Sequence, residues 1–176
     1  MKARETERAW CALIVKPRFE KIAALNLQSK GYEAYLPLFR PPSLSFKGTS
    51  ELNLPLFPGY VFCKFDSSAN KSILSTPGVL SVVGVGRASP VPEEEILAVK
   101  SIAESTLIYS PWPYVDAGEL MRVEYGPLCG LSGFHIQVAG NHRLIISVNL
   151  LRRSVGVAIE RASLKAAPIW GNIRHI

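Results

Sequence analysis

The spacing of apolar residues predicts four strands in the first hundred residues, at 10–15, 32–36, 56–65 and 79–85. The third, LFPGYVFCKF, is the most informative, because alternation places Tyr60 and Phe62 on one face and Val61 and Cys63 on the other. One of these faces suits a core. Two aromatic residues on the second face indicate either burial beneath a helix or a patch that binds a partner.

Helical spacing is found in two segments of the same region. In the first, apolar residues recur every three or four positions before a glycine at residue 31, which is typical of a helix end. They are Phe19, Ile22, Ala23 and Leu27. A second helix is predicted from Pro92, because proline is favoured at a helix start and the carboxylates of residues 93–95 favour the positive end of the helix dipole.

The pattern changes after Ser105. Residues 106–115 contain two prolines and have no clear period, which predicts a linker. Beyond it only strands are predicted, at 119–124, 133–138, 143–148 and 154–159, and their close spacing is typical of a small barrel. We therefore predict an α+β domain at 9–105, a linker at 106–115, an all-β domain at 116–166 and a tail at 167–176.

Composition narrows the class of protein. With 48% hydrophobic and 19% charged residues, the 176-residue chain is expected to fold around a packed core. No stretch approaches the ~20 apolar residues of a membrane helix, and the charged opening MKARETERAW does not resemble an export signal, so we expect a cytoplasmic protein without membrane contact. Three widely spaced cysteines fit a reducing compartment, and the net charge of +6 favours polyanions only weakly.

The residue types that carry out catalysis are not arranged in a recognisable site. The glycine-rich segment GPLCGLSG lacks the Lys-Ser/Thr ending of a phosphate-binding loop, and GVGRAS lacks a third glycine. The three histidines are scattered, and Cys63 alternates into the predicted core. The sequence therefore predicts a protein that is not an enzyme and that uses no cofactor and no metal.

Two groups of motifs together resemble the NusG family of transcription elongation factors. In the first half they are KPRFE, GYEAYLPL, FPGYVF and TPGVLSVVG, and in the second half AGELMRVEYGPLCGLSG, RLIISV and RRSVGVAIE. The resemblance implies an antiparallel sheet flanked by helices, followed by an SH3-like barrel known as a KOW domain. The short loop from Arg40 to Leu54 resembles that of operon-specific antitermination paralogues more than that of the housekeeping factor.

The resemblance implies that the first domain binds the clamp helices of RNA polymerase and suppresses pausing and termination. The residues it assigns to this contact are Phe57, Tyr60, Phe62, Val82 and Ile96, with Asn70, Lys71 and Ser72 at a second contact across the polymerase cleft. The loop of residues 70–72 lacks the His-Thr-Thr pattern that some paralogues have at this contact. A basic patch of Lys16, Arg18 and Arg40 is expected to contact displaced non-template DNA or nascent RNA.

For the KOW domain, the resemblance implies recruitment of another protein through the loop GPLCGLSGFHI, with Leu128, Leu131 and Ile136 as contacts. The implied partner is the ribosomal protein that also acts as NusE, or the termination factor Rho. Leucines replace an aromatic residue of housekeeping members, and they could equally pack inside the barrel. The protein is expected to be a monomer.

A different class of function also fits the residues. KOW motifs occur in ribosomal proteins, and the second domain offers five basic side chains for phosphates and one aromatic ring for base stacking. They are Arg143, Arg152, Arg153, Arg161 and Lys165, with Phe134 as the stacking ring. The alternative is therefore an RNA-binding module associated with the ribosome or with a leader RNA, although these arginines could equally form an ordinary solvated surface.

Overall fold

The computed structural model describes residues 8–41, 53–66, 69–84 and 88–167. The N-terminal elements are β1 (Ala9–Val15), α1 (Glu20–Ser29), β2 (Glu33–Tyr35), β3 (Leu38–Phe39), β4 (Leu54–Pro55), β5 (Tyr60–Phe65), α2 (Asn70–Leu74), β6 (Val79–Val82) and α3 (Glu93–Glu104). Four of these strands form an antiparallel sheet in the order β2-β5-β1-β6, and β3 pairs with β4 separately. The predicted mixture of sheet and helix is confirmed.

The first helix covers one face of the four-stranded sheet. Side chains of β1 and β5 on this face pack with Ala23, Ala24 and Leu27 of α1 in one hydrophobic cluster. Phe19 and Ile22, which the sequence pattern placed in the buried stripe, are 40% and 48% exposed. The helix is confirmed, but its buried side differs from the predicted one. The residues that face the sheet are Ala23, Ala24 and Leu27, which lie together on one side of a helix with 3.6 residues per turn.

The third helix covers the opposite face. Trp10 of β1 and Phe62 of β5 lie on this face, and α3 buries Ile96, Val99 and Ile102 in the same cluster. The helix begins at the residue after Pro92, as the sequence predicts. The aromatic face of β5 is thus buried in this structure.

The C-terminal part is a separate antiparallel sheet in the order β12-β8-β9-β10-β11-β7. Its strands are β7 (Tyr109–Trp112), β8 (Glu119–Val123), β9 (Ser132–Val138), β10 (Asn141–Val148), β11 (Arg153–Ala158) and β12 (Leu164–Ala166). Strands β8 to β11 confirm the four predicted from the sequence. The expected closed SH3-like barrel is not seen, because no pairing joins β7 to β12 within the described ranges.

Strand β7 lies inside the segment predicted as a linker. It pairs with β11, and its Trp112 ring lies across Gly156, where an added Cβ would come within 3.0 Å of the ring atom Cε3. Pro111 is tolerated because β7 is an edge strand, where proline removes no ladder hydrogen bond to a further strand. Of the two prolines that suggested a linker, Pro111 therefore belongs to a strand that extends the C-terminal sheet, and Pro113 follows that strand.

Polar and apolar contacts join the two parts of the molecule. Glu95 of α3 accepts hydrogen bonds from the backbone N–H and the side-chain Nδ2 of Asn149 at 3.1 and 2.6 Å. The Tyr109 hydroxyl donates to the carbonyl of Leu38 at 2.7 Å. One hydrophobic cluster contains side chains of α3 and of the C-terminal sheet. The α3 face of the N-terminal sheet is consequently part of a shared core.

Two segments predicted from the sequence lie wholly or partly outside the residues that the structure describes. Residues 168–176, most of the predicted tail, lie outside the described ranges, as do residues 42–52 in the loop that follows β3. Within the described ranges, no helix is long and apolar enough to cross a bilayer.

Candidate functional site

The turn that precedes β5 is fixed to the start of α1. Gly59 has a φ of +83°, a backbone conformation that glycine adopts without strain. Its N–H donates to Oε1 of Glu20 at 2.9 Å, and Glu20 is only 6% exposed. Its carbonyl accepts a hydrogen bond from the N–H of Val15 at 2.9 Å. The FPGY motif is therefore held by both α1 and β1 at the point where β5 begins.

Four residues assigned to polymerase contact meet in one cluster. Phe57 and Phe62 pack edge to face with ring centroids 5.8 Å apart, an arrangement that contributes about 0.5–1.5 kcal/mol beyond the burial of area. Phe57, Phe62 and Ile96 are each at most 2% exposed, whereas Tyr60 packs against them and is half-buried. Tyr60 is thus the most accessible of the four.

Val82 does not join this cluster. It pairs with Leu13 of β1 and packs on the α1 face of the sheet. The next residue, Val83, packs against the aromatic cluster instead. Grouping Val82 with Tyr60 and Phe62 is therefore wrong, because the register of β6 against β1 places its side chain on the opposite face.

The residues assigned to the second polymerase contact occupy the first turn of α2. Lys71 and Ser72 are exposed, and Asn70 is half-buried with no hydrogen-bond partner for its buried Oδ1 among the described residues. The carbonyl of Ser72 accepts hydrogen bonds from Lys30 Nζ at 2.9 Å and Thr76 Oγ1 at 3.1 Å. This turn is therefore tied to the end of α1 and presents Lys71 to solvent.

The basic patch predicted from the sequence is exposed but not contiguous. Lys16, Arg18 and Arg40 are all exposed, and Arg18 lies in the turn between β1 and α1 with a φ of +67°. Arg18 lines a groove of about 620 Å³, while Arg40 lines a neighbouring cavity, and Phe39 belongs to both. Lys16 lines neither of them.

Two basic residues that the sequence analysis did not group with Arg18 lie in the same groove. They are Lys21 of α1 and Arg153 of β11, so the groove is bounded by both parts of the molecule. A lysine in the first turn of a helix carries no distinguishing signal. The proximity of Arg18 and Arg153 depends on how the two sheets pack, which a local pattern does not encode.

The loop assigned to partner recruitment has one residue in the core. Leu128 is 2% exposed and packs among interior residues of the C-terminal sheet, whereas Leu131 and Ile136 are half-buried. Hydrogen bonds from Gly130 N–H to Val123 and from Leu131 N–H to Leu128 fold the loop back over β8. The prediction that Leu128 is an exposed partner contact is therefore wrong, because its side chain points into the interior of the sheet.

The basic residues of the alternative RNA-binding surface are dispersed, and most have local partners. These contacts are Arg143 over Trp112 at 5.0 Å, Arg152 over Tyr114 at 4.1 Å, Arg161 with the carbonyl of Leu164 at 3.2 Å and Lys165 with Glu124 at 3.3 Å. Phe134 is half-buried. Of the five basic residues, Arg153 is the one that lines the interdomain groove.

Potentially reactive side chains among the described residues include a buried thiol and a pair of histidines. Burial raises the pKa of Cys63 to about 12, so this thiol stays protonated near neutral pH. His135 and His142 stack with ring centroids 5.1 Å apart and share a 2.9 Å hydrogen bond. In the part of the chain that the structure describes, no group of three or more His, Cys, Asp or Glu side chains is arranged to hold a metal.

A family model and several solved structures match this chain. A family model described as NusG, transcription termination factor nusG, matches residues 8–100. NusG of Thermotoga maritima, in a structure that concerns domain interaction, is 16% identical with a TM-score of 0.56 and covers 91% of this chain and 97% of its own, which shows a shared fold. A crystal structure of the MjSpt4:Spt5 complex in conformation B is 15% identical with a TM-score of 0.32 and covers 89% and 95%. Among curated proteins none matches.

Proposed function

Since its family model covers residues 8–100, the chain belongs to the NusG family of transcription factors, and we propose that it binds RNA polymerase and suppresses pausing or termination. The proposed mechanism is binding without a chemical step. The observation that carries the proposal is the family match, which includes β5 and most of α3.

We assign the contact with the polymerase clamp helices to the aromatic face of β5. Tyr60 supplies its accessible edge, and Phe57, Phe62 and Ile96 supply the apolar surface beneath. Aromatic side chains in apolar surroundings are typical hot spots of protein interfaces. Lys71 and Ser72 of α2 are proposed for the second contact, on the opposite side of the polymerase cleft.

Binding through buried side chains requires a change in this structure. The cluster that contains Phe62 continues into the C-terminal sheet, and Asn149 is bonded to Glu95 of α3. The Thermotoga maritima relative is likewise described by a domain interaction. We propose that polymerase competes with the C-terminal sheet for this side of the molecule, so that the contact between Glu95 and Asn149 breaks when the clamp helices bind.

The remaining assignments concern nucleic acid and a recruited protein. Lys16, Arg18 and Arg40 are proposed to contact the displaced DNA strand or the nascent RNA through phosphates, which makes this contact salt-sensitive. Leu131 and Ile136 are proposed to receive NusE or Rho. Leu128 supports their loop from the interior of the sheet.

Capture of RNA polymerase by the purified full chain tests the proposal. We expect Tyr60→Ala to weaken capture about 30-fold, which corresponds to a hot-spot loss of ~2 kcal/mol. Tyr125→Ala is the matched control, because Tyr125 is 59% exposed and lies on the C-terminal sheet's loop. Circular dichroism checks that both variants are folded. Undiminished capture by a folded Tyr60→Ala protein would contradict the assignment of this face.

A further inference from the structure

A lysine at the end of α1 is bonded to the C-terminal end of α2. Lys30 Nζ donates to the carbonyl of Ser72 at 2.9 Å, to Oγ1 of Thr76 at 2.8 Å and to Oγ of Ser75 at 3.4 Å. A lysine ammonium has three N–H donors, so these acceptors use all of them. Lys30 forms no ion pair with a carboxylate of the described residues. Its charged group is therefore directed at α2 alone.

The three acceptors are also bonded to one another. The hydroxyls of Ser75 and Thr76 donate to the carbonyl of Ser72 at 2.9 and 3.1 Å. A hydroxyl can accept one hydrogen bond and donate another, so both can accept from Lys30 at the same time. Thr76 is only 2% exposed. Lysine side chains often hydrogen-bond the last carbonyls of a helix, and Lys30 does so for α2 from a different element.

The helix α2 is too short to hold its own position. It has five residues, fewer than the ~12–15 that an isolated helix needs to be stable in water. Its buried residue is Ile73, which packs in the cluster covered by α1. A helix attached at one side chain can still turn about that point. The second attachment, through Lys30, fixes the direction in which α2 points.

We propose that Lys30 is a positioning residue for the second polymerase contact, because it anchors α2 and thereby holds Lys71 at a fixed point on the surface. This proposal rests on the proposed function, which assigns Lys71 and Ser72 to that contact. Lys71 is exposed and has no carboxylate partner among the described residues, so its ammonium is available to a partner. Fixing a contact residue in advance reduces the ordering cost of binding.

The anchor lies wholly in the N-terminal part of the molecule. All three bonds of Lys30 go to residues 72–76, and Ile73 belongs to the cluster made only of N-terminal residues. Release of the C-terminal sheet, which the proposed function requires, therefore leaves the anchor in place. The 42 residues between Lys30 and Ser72 explain why no local sequence pattern indicates this contact.

Amide hydrogen exchange of the purified full chain tests the anchor without polymerase. Lys30→Met keeps the aliphatic stem and removes the ammonium. We expect the N–H of Ser75, which is bonded to the carbonyl of Lys71 at 3.0 Å, to exchange roughly tenfold faster in this variant, because a charge-assisted hydrogen bond to α2 is lost. Lys21→Met is the matched control, since Lys21 is an exposed lysine of α1 that forms none of these bonds. Unchanged exchange at Ser75 would overturn the proposal.

Capture of RNA polymerase in the absence of nucleic acid tests whether the anchor acts through Lys71. We expect Lys30→Met to weaken capture about threefold, the size of one exposed charged contact, and Lys21→Met to leave it unchanged. In a Lys71→Ala background the effect of Lys30→Met should fall below about 1.5-fold, because the side chain to be positioned is gone. In a Tyr60→Ala background it should persist, because Tyr60 belongs to the other contact. Lys30→Arg keeps a charged donor and should restore most of the capture.

The outcomes separate this proposal from the proposed function. Unchanged capture by Lys30→Met would overturn the positioning role. So would an equal loss with and without Lys71, because that loss would come from general destabilisation rather than from the position of α2. If Lys71→Ala is captured like the parent, the second contact is wrongly assigned and Lys30 has no role in it. If the parent chain does not capture polymerase at all, the proposed function fails, while exchange at Ser75 still decides whether Lys30 anchors α2.

Discussion

The two faces of the N-terminal sheet are covered in different ways. On one face, Leu13 and Val61 pack against α1 in a cluster made only of N-terminal residues. On the other, Phe62 packs with α3 in a cluster that continues into the C-terminal sheet through residues such as Ile146 and Val148. The first face is completed by its own domain, whereas the second belongs to a core shared by both. Only the second face changes its surroundings if the two parts separate.

This difference suggests a division of roles. A face covered by its own helix contributes stability that is independent of the C-terminal sheet. A face that is covered by a second unit can instead be covered by another partner. The net free-energy cost of this exchange is small, because the apolar surface is buried in both states. The aromatic strand β5 carries its bulky rings on this second face.

The largest effect is expected from truncation on the shared face. Phe62 is fully buried, so Phe62→Ala should lower the free energy of unfolding by about 3–5 kcal/mol. Because its cluster reaches the C-terminal sheet, we also expect faster amide exchange in β10. Urea denaturation and hydrogen exchange measure the two effects. Unchanged protection in β10 would show that the two parts do not share a core energetically.

A slightly smaller effect is expected on the face that α1 covers. Leu27 is fully buried, so Leu27→Ala should cost about 2–5 kcal/mol of unfolding free energy. Here the amide exchange of β10 should stay as in the parent under native conditions, because the cluster contains no C-terminal residue. Leu25→Ala is the control, since Leu25 lies on the same helix and is 64% exposed. Faster exchange in β10 would remove the distinction between the two faces.

The side of α1 that is buried against the sheet shows how much the sequence can predict. Strand alternation and helical spacing are local signals, so they located β1, β5, α1 and α3. They did not fix which side of a helix is buried, because Ala24 is a small residue that scores weakly as apolar, whereas the exposed Phe19 and Ile22 score strongly. Burial follows from the direction in which α1 meets the sheet.

The site was less predictable for the same physical reason. Tyr60 and Phe62 are two residues apart in one strand, so alternation placed them on the same face, and both belong to or pack against one cluster in the structure. Phe57 precedes the strand and was assigned through the family resemblance, and it lies in the same cluster. Val82 comes from another strand, and its face depends on the register of β6 against β1. The groove of Arg18 and Arg153 depends on contact between two sheets, which no local pattern encodes. Non-local packing is therefore the part that required the structure.

A moderate effect is expected from the polar contact at the edge of the shared face. Asn149→Ala removes the 2.6 Å hydrogen bond to Glu95 Oε1 and the 2.7 Å hydrogen bond that Asn149 Oδ1 accepts from the Tyr114 hydroxyl, but it leaves the backbone bond to Glu95 Oε2. We expect a coupling energy of about 1 kcal/mol between Asn149 and Glu95. It is obtained from the unfolding free energies, measured by urea denaturation, of the parent, Asn149→Ala, Glu95→Ala and the double variant. Ser101→Ala is the control, because its hydroxyl bonds within α3 to the carbonyl of Leu97. A coupling of zero would mean that this bond adds nothing to the contact.

The smallest effect is a pH dependence of the same contact. Burial raises the pKa of Glu95 above its ordinary value of 4.5, and the hydrogen bonds from Asn149 oppose this only in part. The folded protein then holds this proton more tightly than the unfolded chain does, so its stability falls as pH rises from 4.5 through the raised pKa. Glu95→Gln lacks the titration, and unfolding free energies of the two proteins from about pH 4 to about pH 7 should therefore diverge, with the parent losing stability relative to the variant. A constant difference, or one of opposite sign, would contradict this.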